Sequence, residues 1–393
     1  MTTLISFLGK GQDGRGYRDA NYHFPDGELA SNQKYIGLAL ADKYQPSKIV
    51  LLGTAGSMWD VFLEQISSGL EEEWVELSDS VKEQSVTKDQ LQPFEQFLSQ
   101  RLSAEVHCIL IPFAKDTLEQ MNILSVLSDS LDDGESIILD VTHGFRHLPM
   151  LALVAARFLK KTKSIDTEHI YYGALDMTQN NETPVLLLDG LLGMLDWVDA
   201  LTTFDKDGDY KVFEPLLIDA GLDSNDAKAL ADAAFYERNI NASDAGRKLQ
   251  QVMPKLEALN KDSTGLYNLF HEQLSKRLDW FRRSSLGLQE QGLAEKYLKR
   301  GDYLRTVIYA MEGLISRKVE QDYSNSKLHD YDTRQEAYQE LRDDTSFNLF
   351  KDFRNSMVHG TASTKKNVKT ILKDPNRLEQ SIKDRVVHLF KKS

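Results

Sequence analysis

The chain has 393 residues, with 47 Lys+Arg against 60 Asp+Glu and a formal net charge of −13. At roughly 150 residues per domain, that length predicts two or three domains. A composition of 41% hydrophobic, 9% aromatic and 27% charged residues is that of a folded chain, not a disordered one. One cysteine, Cys108, excludes an internal disulfide and Cys-rich zinc modules. The longest apolar run, 150–159, contains Arg157 and is too short to span a membrane. The N-terminus enters a strand-like run with no basic leader before it, so a cytoplasmic protein is expected.

The acidic balance argues against duplex binding and against a stable DNA complex, because that affinity comes mostly from neutralising phosphates. The sign is uneven, however. Residues 351–393 carry 11 basic and 4 acidic side chains, a net of +7. This basic segment reads either as a solvated helical face or as a local polyanion site.

In chain order, the first half alternates short apolar runs with amphipathic stretches. Strands are predicted at TLISFLG (3–9), KIVLLG (48–53), EVHCILIP (105–112), SIILDVT (136–142), HIYYGAL (169–175) and PVLLLDG (184–190), six in all. A Gly-rich loop follows the first, then a helix from about Ser31 to Lys43; further helices follow the second, third and fourth strands. Pro149 suits the first turn of the helix after the fourth. Near-continuous apolar strands separated by helices indicate a doubly wound, Rossmann-like parallel sheet covered on both faces, with the last pair joined by a hairpin turn, DMTQNNETP. Beyond Gly190 the spacing turns helical throughout. The expected division is 1–199 as an α/β domain, 200–286 as a helical connector and 287–393 as an all-α domain.

Ligands of open α/β sheets bind beyond the carboxyl ends of the strands. Three loops fall there: GKGQDGRGY (9–17), GTAGSMW (53–59) and DVTHGFRHLP (140–149). Glycines, hydroxyls, basic side chains and helix N-termini together suit a polyanion or nucleotide. No G-x-x-x-x-G-K-[ST] is present, so P-loop chemistry is not expected. Gly9-x-Gly11-x-x-Gly14 matches dinucleotide spacing but lacks an acidic ribose ligand at the end of a second strand, which disfavours NAD. No His, Cys or carboxylate spacing points to a metal site.

A second constellation, R-N-S-M-V-H from Arg354 to His359, lies in a helical segment that ends at Gly360. Five residues span about 7.5 Å along a helix but leave the two side chains about 140° apart. Arg354 and His359 can converge on one ligand if the helix ends near His359 or if a second copy faces them. A guanidinium holds a phosphate bidentately and an imidazole passes protons near neutrality, which together suit metal-free RNA cleavage. Asn355 would hold the imidazole or the phosphate. The plain alternative is a surface Arg and a helix-terminal His at the dipole's negative end.

D-V-T-H-G-F-R-x-L-P after a buried strand, joined to G-T-x-x-S-M-W before it, resembles the CARF domain of CRISPR-associated proteins. F-R-N-S-M-V-H-G resembles the R-x-x-x-x-H core of HEPN ribonucleases. In this order the two resemble type III CRISPR ancillary ribonucleases. The resemblance implies a homodimer whose CARF domains bind a cyclic oligoadenylate, with cyclic tetra-adenylate preferred. Gly9, Lys10, Gly11, Thr54, Gly56, Ser57, Met58, Thr142, His143, Gly144, Phe145 and Arg146 match the positions that would line the ring. It implies that Arg354, Asn355 and His359 of both copies form one composite site that cleaves single-stranded RNA without metal or cofactor. Tyr22 and His23 are weaker candidates for adenine contacts, and Glu312 for the nuclease site. Two other readings stay open: a non-catalytic sensor that signals to a partner, and a CARF domain that also degrades its ring through Thr54, Ser57, Thr142 and His143.

Overall fold

The computed structural model describes residues 2–10, 19–64, 69–144, 147–262, 265–360 and 365–391. The chain divides into two compact units, Met1–Leu192 and Gly193–Ser393.

The first unit is an eight-stranded sheet: β1 (Thr2–Phe7), β2 (Ala20–His23), β3 (Leu29–Gln33), β4 (Lys48–Gly53), β5 (Glu105–Leu110), β6 (Ser136–Asp140), β7 (Asp166–Gly173) and β8 (Thr183–Leu187). Its order is β3-β2-β8-β7-β6-β1-β4-β5. The run β7-β6-β1-β4-β5 is parallel throughout. Six helices accompany it: α1 (Ile36–Tyr44), α2 (Trp59–Glu64), α3 (Glu71–Glu83), α4 (Lys88–Leu102), α5 (Thr117–Asp129) and α6 (Leu148–Thr162).

Alternation along the strands builds two cores, because successive side chains leave opposite faces. Leu4, Ile49, Leu51, Val106 and Ile138 pack with α1 and α4 on one face. Ile5, Phe7, Val50, Leu52, Ile137 and Leu139 pack with α5 and α6 on the other. Burial on both faces is why these strands read as unbroken apolar runs. Pro149 sits in the first turn of α6, and β7 and β8 pair antiparallel, both as expected.

Two features correct the expectation. The sheet has eight strands, not six, since β2 and β3 form an antiparallel hairpin where a loop and the start of a helix are predicted. The helix begins at Ile36 instead of Ser31, and Asn32 adopts a left-handed φ of 53°. Physically, β2 and β3 are short, with Tyr22 and Ala20 facing inward and most of the remainder polar and exposed. Pro25-Asp26-Gly27 turns the chain between them. Strands this short and this polar carry little periodic signal.

The second unit is helical: α7 (Asp189–Asp207, whose first turn belongs to the first unit), α8 (Glu214–Asp219), α9 (Ser224–Arg238), α10 (Ala242–Asp262), α11 (Leu266–Arg277), α12 (Leu286–Lys299), α13 (Tyr303–Asp322), α14 (Tyr331–Leu341), α15 (Thr345–His359), α16 (Lys366–Leu372) and α17 (Pro375–Lys391). One buried core runs from Trp197 to Val386, so residues 200–286 and 287–393 share it. Within that core Glu237 accepts hydrogen bonds from Trp280 Nε1 at 3.0 Å and from the Tyr297 hydroxyl at 3.1 Å. No helix among the described residues is long and apolar enough to cross a membrane.

Candidate functional site

The parallel run turns back at β1: β4 lies on one side of it and β6 on the other. The loops after β1, β4 and β6 therefore meet at the point where the strand order reverses, the place where such sheets bind ligands.

These loops are tied to one another through the backbone. Met58 N–H donates to the Gly9 carbonyl at 3.0 Å. A Cβ on Gly9 would lie 2.6 Å from the Gly144 nitrogen, so only glycine lets the first and third loops approach this closely. Gly144 has φ +108° and its backbone is exposed. Lys10 is also exposed, and Met58 and Thr142 are half-buried. The exposed backbone of Gly144 is a surface that a phosphate oxygen can approach with no intervening Cβ.

Thr54 and Ser57, expected to face the ring, are 3% and 2% exposed. Ser57 Oγ accepts from Thr54 N–H and donates to the Leu8 carbonyl, both at 2.9 Å. Their hydroxyls thus shape the second loop and pin it to the end of β1. Gly56 is buried in the same loop. Trp59, fully buried, donates from Nε1 to the Thr54 carbonyl at 3.0 Å, and its role is packing. Thr142 Oγ1 accepts from Gly173 N–H at 2.7 Å, which joins the third loop to β7. His143 is buried and stacks on Tyr35, with ring centroids 5.2 Å apart. Burial holds its pKa below the ordinary value, with Asp140 pulling the other way. Gly11, Phe145 and Arg146 lie outside the described residues.

A buried network beneath the loops is not visible in the sequence motifs. Tyr35 donates to Ser6, which donates to Asp140, whose other oxygen accepts from Thr142 N–H at 2.9 Å. Ser6 and Asp140 are register partners in adjacent parallel strands. One polar residue placed alike in two apolar strands is the signal that points to it. Tyr22, a candidate base contact, is buried with its ring beside Gly173, whereas His23 is exposed and 3.8 Å from Glu182.

The second site is built from α15. Asp344 caps its start by accepting from Ser346 and Phe347 N–H, and Gly360 ends it in the left-handed region at φ 62°. Phe347, Phe350 and Phe353 are buried, and Arg354 lies along the edge of that buried stripe. Arg354 is half-buried, and its Nε and Nη2 donate to Asn355 Oδ1 at 3.1 and 2.7 Å. His359 is exposed in the last turn. α15 includes both Arg354 and His359 and ends at Gly360. The structure brings Arg354 and Asn355 together, and the pair holds the guanidinium plane fixed. Just beyond the terminus, Lys365 pairs with Asp352 at 2.6 Å. Glu312, a candidate for this site, is paired with Arg334 at 2.6 Å. Among the described residues no group of three or more His, Cys, Asp or Glu side chains is placed to hold a metal ion.

The family model described as CRISPR system endoribonuclease Csx1, CARF domain, matches residues 3–176. This segment is a CARF domain. The chain is accordingly similar to CARF-containing ancillary proteins of type III CRISPR systems. It is similar to CRISPR-associated protein MJ1674 of Methanocaldococcus jannaschii, at 25% identity over 307 residues. That match covers 71% of this chain, more than its CARF unit holds, and so reaches the helical unit. It covers 48% of the relative, so the chain spans about half the length of the curated relative it matches. CARF domains bind cyclic oligoadenylates as allosteric ligands, and at the strand reversal the backbone of Gly144 is exposed beside Lys10.

Proposed function

We propose that this chain is a homodimeric, cyclic-oligoadenylate-activated, metal-independent endoribonuclease of type III CRISPR defence. The observation that carries the reading is Arg354-Asn355 and His359 on a helix that terminates at Gly360, in a chain that begins with a CARF domain. Cleavage follows from that chemistry. The 2′-hydroxyl loses its proton to an imidazole and attacks phosphorus. The 5′-oxygen leaves and takes up a proton, giving a 2′,3′-cyclic phosphate and a 5′-hydroxyl. Arg354 offsets the charge that builds on the phosphoryl oxygens. One copy supplies one imidazole, whereas the reaction removes one proton and delivers another. A second copy related by a two-fold axis supplies the second.

Support for a dimer comes from α5 and α6, adjacent on one sheet face. Leu118 and Met121 on α5, and Met150, Val154 and Phe158 on α6, are exposed apolar side chains. Met150, Val154 and Phe158 recur at every fourth residue, a stripe along one side of the helix. Such a stripe on an otherwise acidic protein favours a partner copy over solvent. The ring activates by binding the cleaving arrangement more tightly than the resting one. Cyclic tetra-adenylate is the expected ring.

Labelled single-stranded RNA incubated in EDTA, with and without cyclic tri-, tetra- and hexa-adenylate, tests the reading. Cleavage stimulated by one ring size is expected. If no ring stimulates cleavage but one binds tightly, the protein is a sensor for a partner. Ring degradation by the CARF domain has less geometric support, since the Thr54 and Ser57 hydroxyls already serve the loop.

A further inference from the structure

Within the helical unit, the ends of α7, α11 and α12 enclose an open recess of about 430 Å³ lined by Lys276, Arg277, Lys296, Lys299, Arg300 and Asp205. Five cations around one carboxylate stand out in a chain of net charge −13. We propose that this recess binds the phosphodiester backbone of a single-stranded RNA, apart from the Arg354/His359 site.

Cations at helix C-termini ordinarily offset the helix dipole, and each end contributes only about half a negative charge. The lining here exceeds that. The wall's carboxylate, Asp205, is taken up by Arg277 through a two-pronged pair at 2.6 Å per contact. Lys276 and Lys296 pair with Glu272 and Asp279, which lie outside the lining. Two cations remain. Lys299 is exposed and has no carboxylate partner among the described residues. Arg300 is held between aromatic faces, 4.9 Å from the Phe204 ring centroid and 5.1 Å from that of Tyr297. Its Nη1 is buried without a hydrogen-bond partner among the described residues. A guanidinium fixed on aromatic rings beside a mobile ammonium is a pair suited to adjacent phosphates: one planar and preorganised, the other a point charge. An extended strand is favoured over a compact anion because the cations line an open recess.

The inference rests on RNA being the substrate but is read by binding alone. Fluorescence anisotropy of a labelled 20-nucleotide oligo-uridylate is measured on the full chain carrying His359→Ala, so that the probe stays intact. Adding Lys299→Glu is expected to weaken binding about three- to tenfold. Lys299→Ala should flatten the slope of log affinity against log salt by about 0.7, the value for one phosphate contact on a single strand. Lys299→Arg should restore both. Equal affinity for Lys299→Glu and its parent, or no measurable RNA binding, overturns the proposal. So does binding of inorganic tripolyphosphate that depends on Lys299 while RNA binding does not. If the chain carrying native His359 fails to cut RNA yet binding depends on Lys299, the nuclease reading falls and the recess assignment stands.

Discussion

The two candidate sites differ in how complete they are within one chain. At the strand reversal, the second loop is bonded to the end of β1, the third is bonded to β7, and Thr54, Ser57, Trp59 and His143 are buried. At the end of α15, Arg354 is braced by Asn355 and His359 stands exposed. On the proposed reading, the first is a receptor largely built within one chain and the second is half a reaction centre. This contrast suits a protein whose ligand is always to be recognised and whose chemistry is to be withheld until two copies are correctly set. A finished nuclease site in every chain would cut RNA without a signal.

The largest expected effect breaks the contrast at its chemical end. His359→Ala should lower ring-stimulated RNA cleavage by about 10²–10⁴-fold, the usual contribution of a positioned proton-transfer group. Ring affinity, measured by calorimetry, should not change, because the receptor lies in the other unit. Undiminished cleavage would remove His359 from the mechanism. Reduced ring affinity would show that the receptor is not self-contained.

Next comes the receptor's own support. Trp59→Ala leaves a cavity beneath the second loop and a Thr54 carbonyl without its indole donor. A loss of about 3–5 kcal/mol in urea unfolding is expected, together with weaker ring binding. At the other site the matching truncation, Val358→Ala, touches a side chain that is 55% exposed. It should shift stability by no more than about 0.5 kcal/mol. Similar costs for the two would mean that the α15 terminus is as tightly built as the loops.

The same asymmetry governs what the amino-acid sequence makes legible. β1, β4, β5 and β6 are readable because burial on both faces leaves few polar residues in them, and Gly360 marks the end of α15. The direction of a hydroxyl is not. Thr54 and Ser57 look like ligand donors in a loop motif, and only the position of the Leu8 carbonyl turns Ser57 inward. Ser6 and Asp140 are 134 positions apart, and Tyr35 reaches them from a third segment. The basic recess draws on three helix ends whose lining residues run from Asp205 to Arg300. Local periodicity reports which face of an element is buried; it carries no information on which distant groups share a point in space.

The smallest effect sharpens the comparison through pH, where the two units respond with opposite sign. His143 lies in the first unit, and burial holds its pKa below 6.5, while Asp140 pulls it up. The unfolded chain therefore binds a proton there more readily than the folded one, and stability falls as the pH drops below about 6.5. Glu290 lies on α12, where burial pushes its carboxyl up to about 8; Ser316 and Arg334 pull it down, and Glu312 and Glu320 push it further up. Its Oε2 is buried with no hydrogen-bond partner among the described residues, an environment that favours the neutral acid. Here the folded chain holds the proton that the unfolded chain releases near 4.5. Its contribution is full below that pH and is lost as the pH rises through about 8. Thermal melts across this range are compared with those of His143→Phe and Glu290→Gln. The parent should lose ground to His143→Phe on the acid side and to Glu290→Gln on the alkaline side. Should either difference stay constant with pH, or both grow in the same pH direction, at least one of these groups titrates in the folded protein as it does in the unfolded chain, and that group is not enclosed in solution.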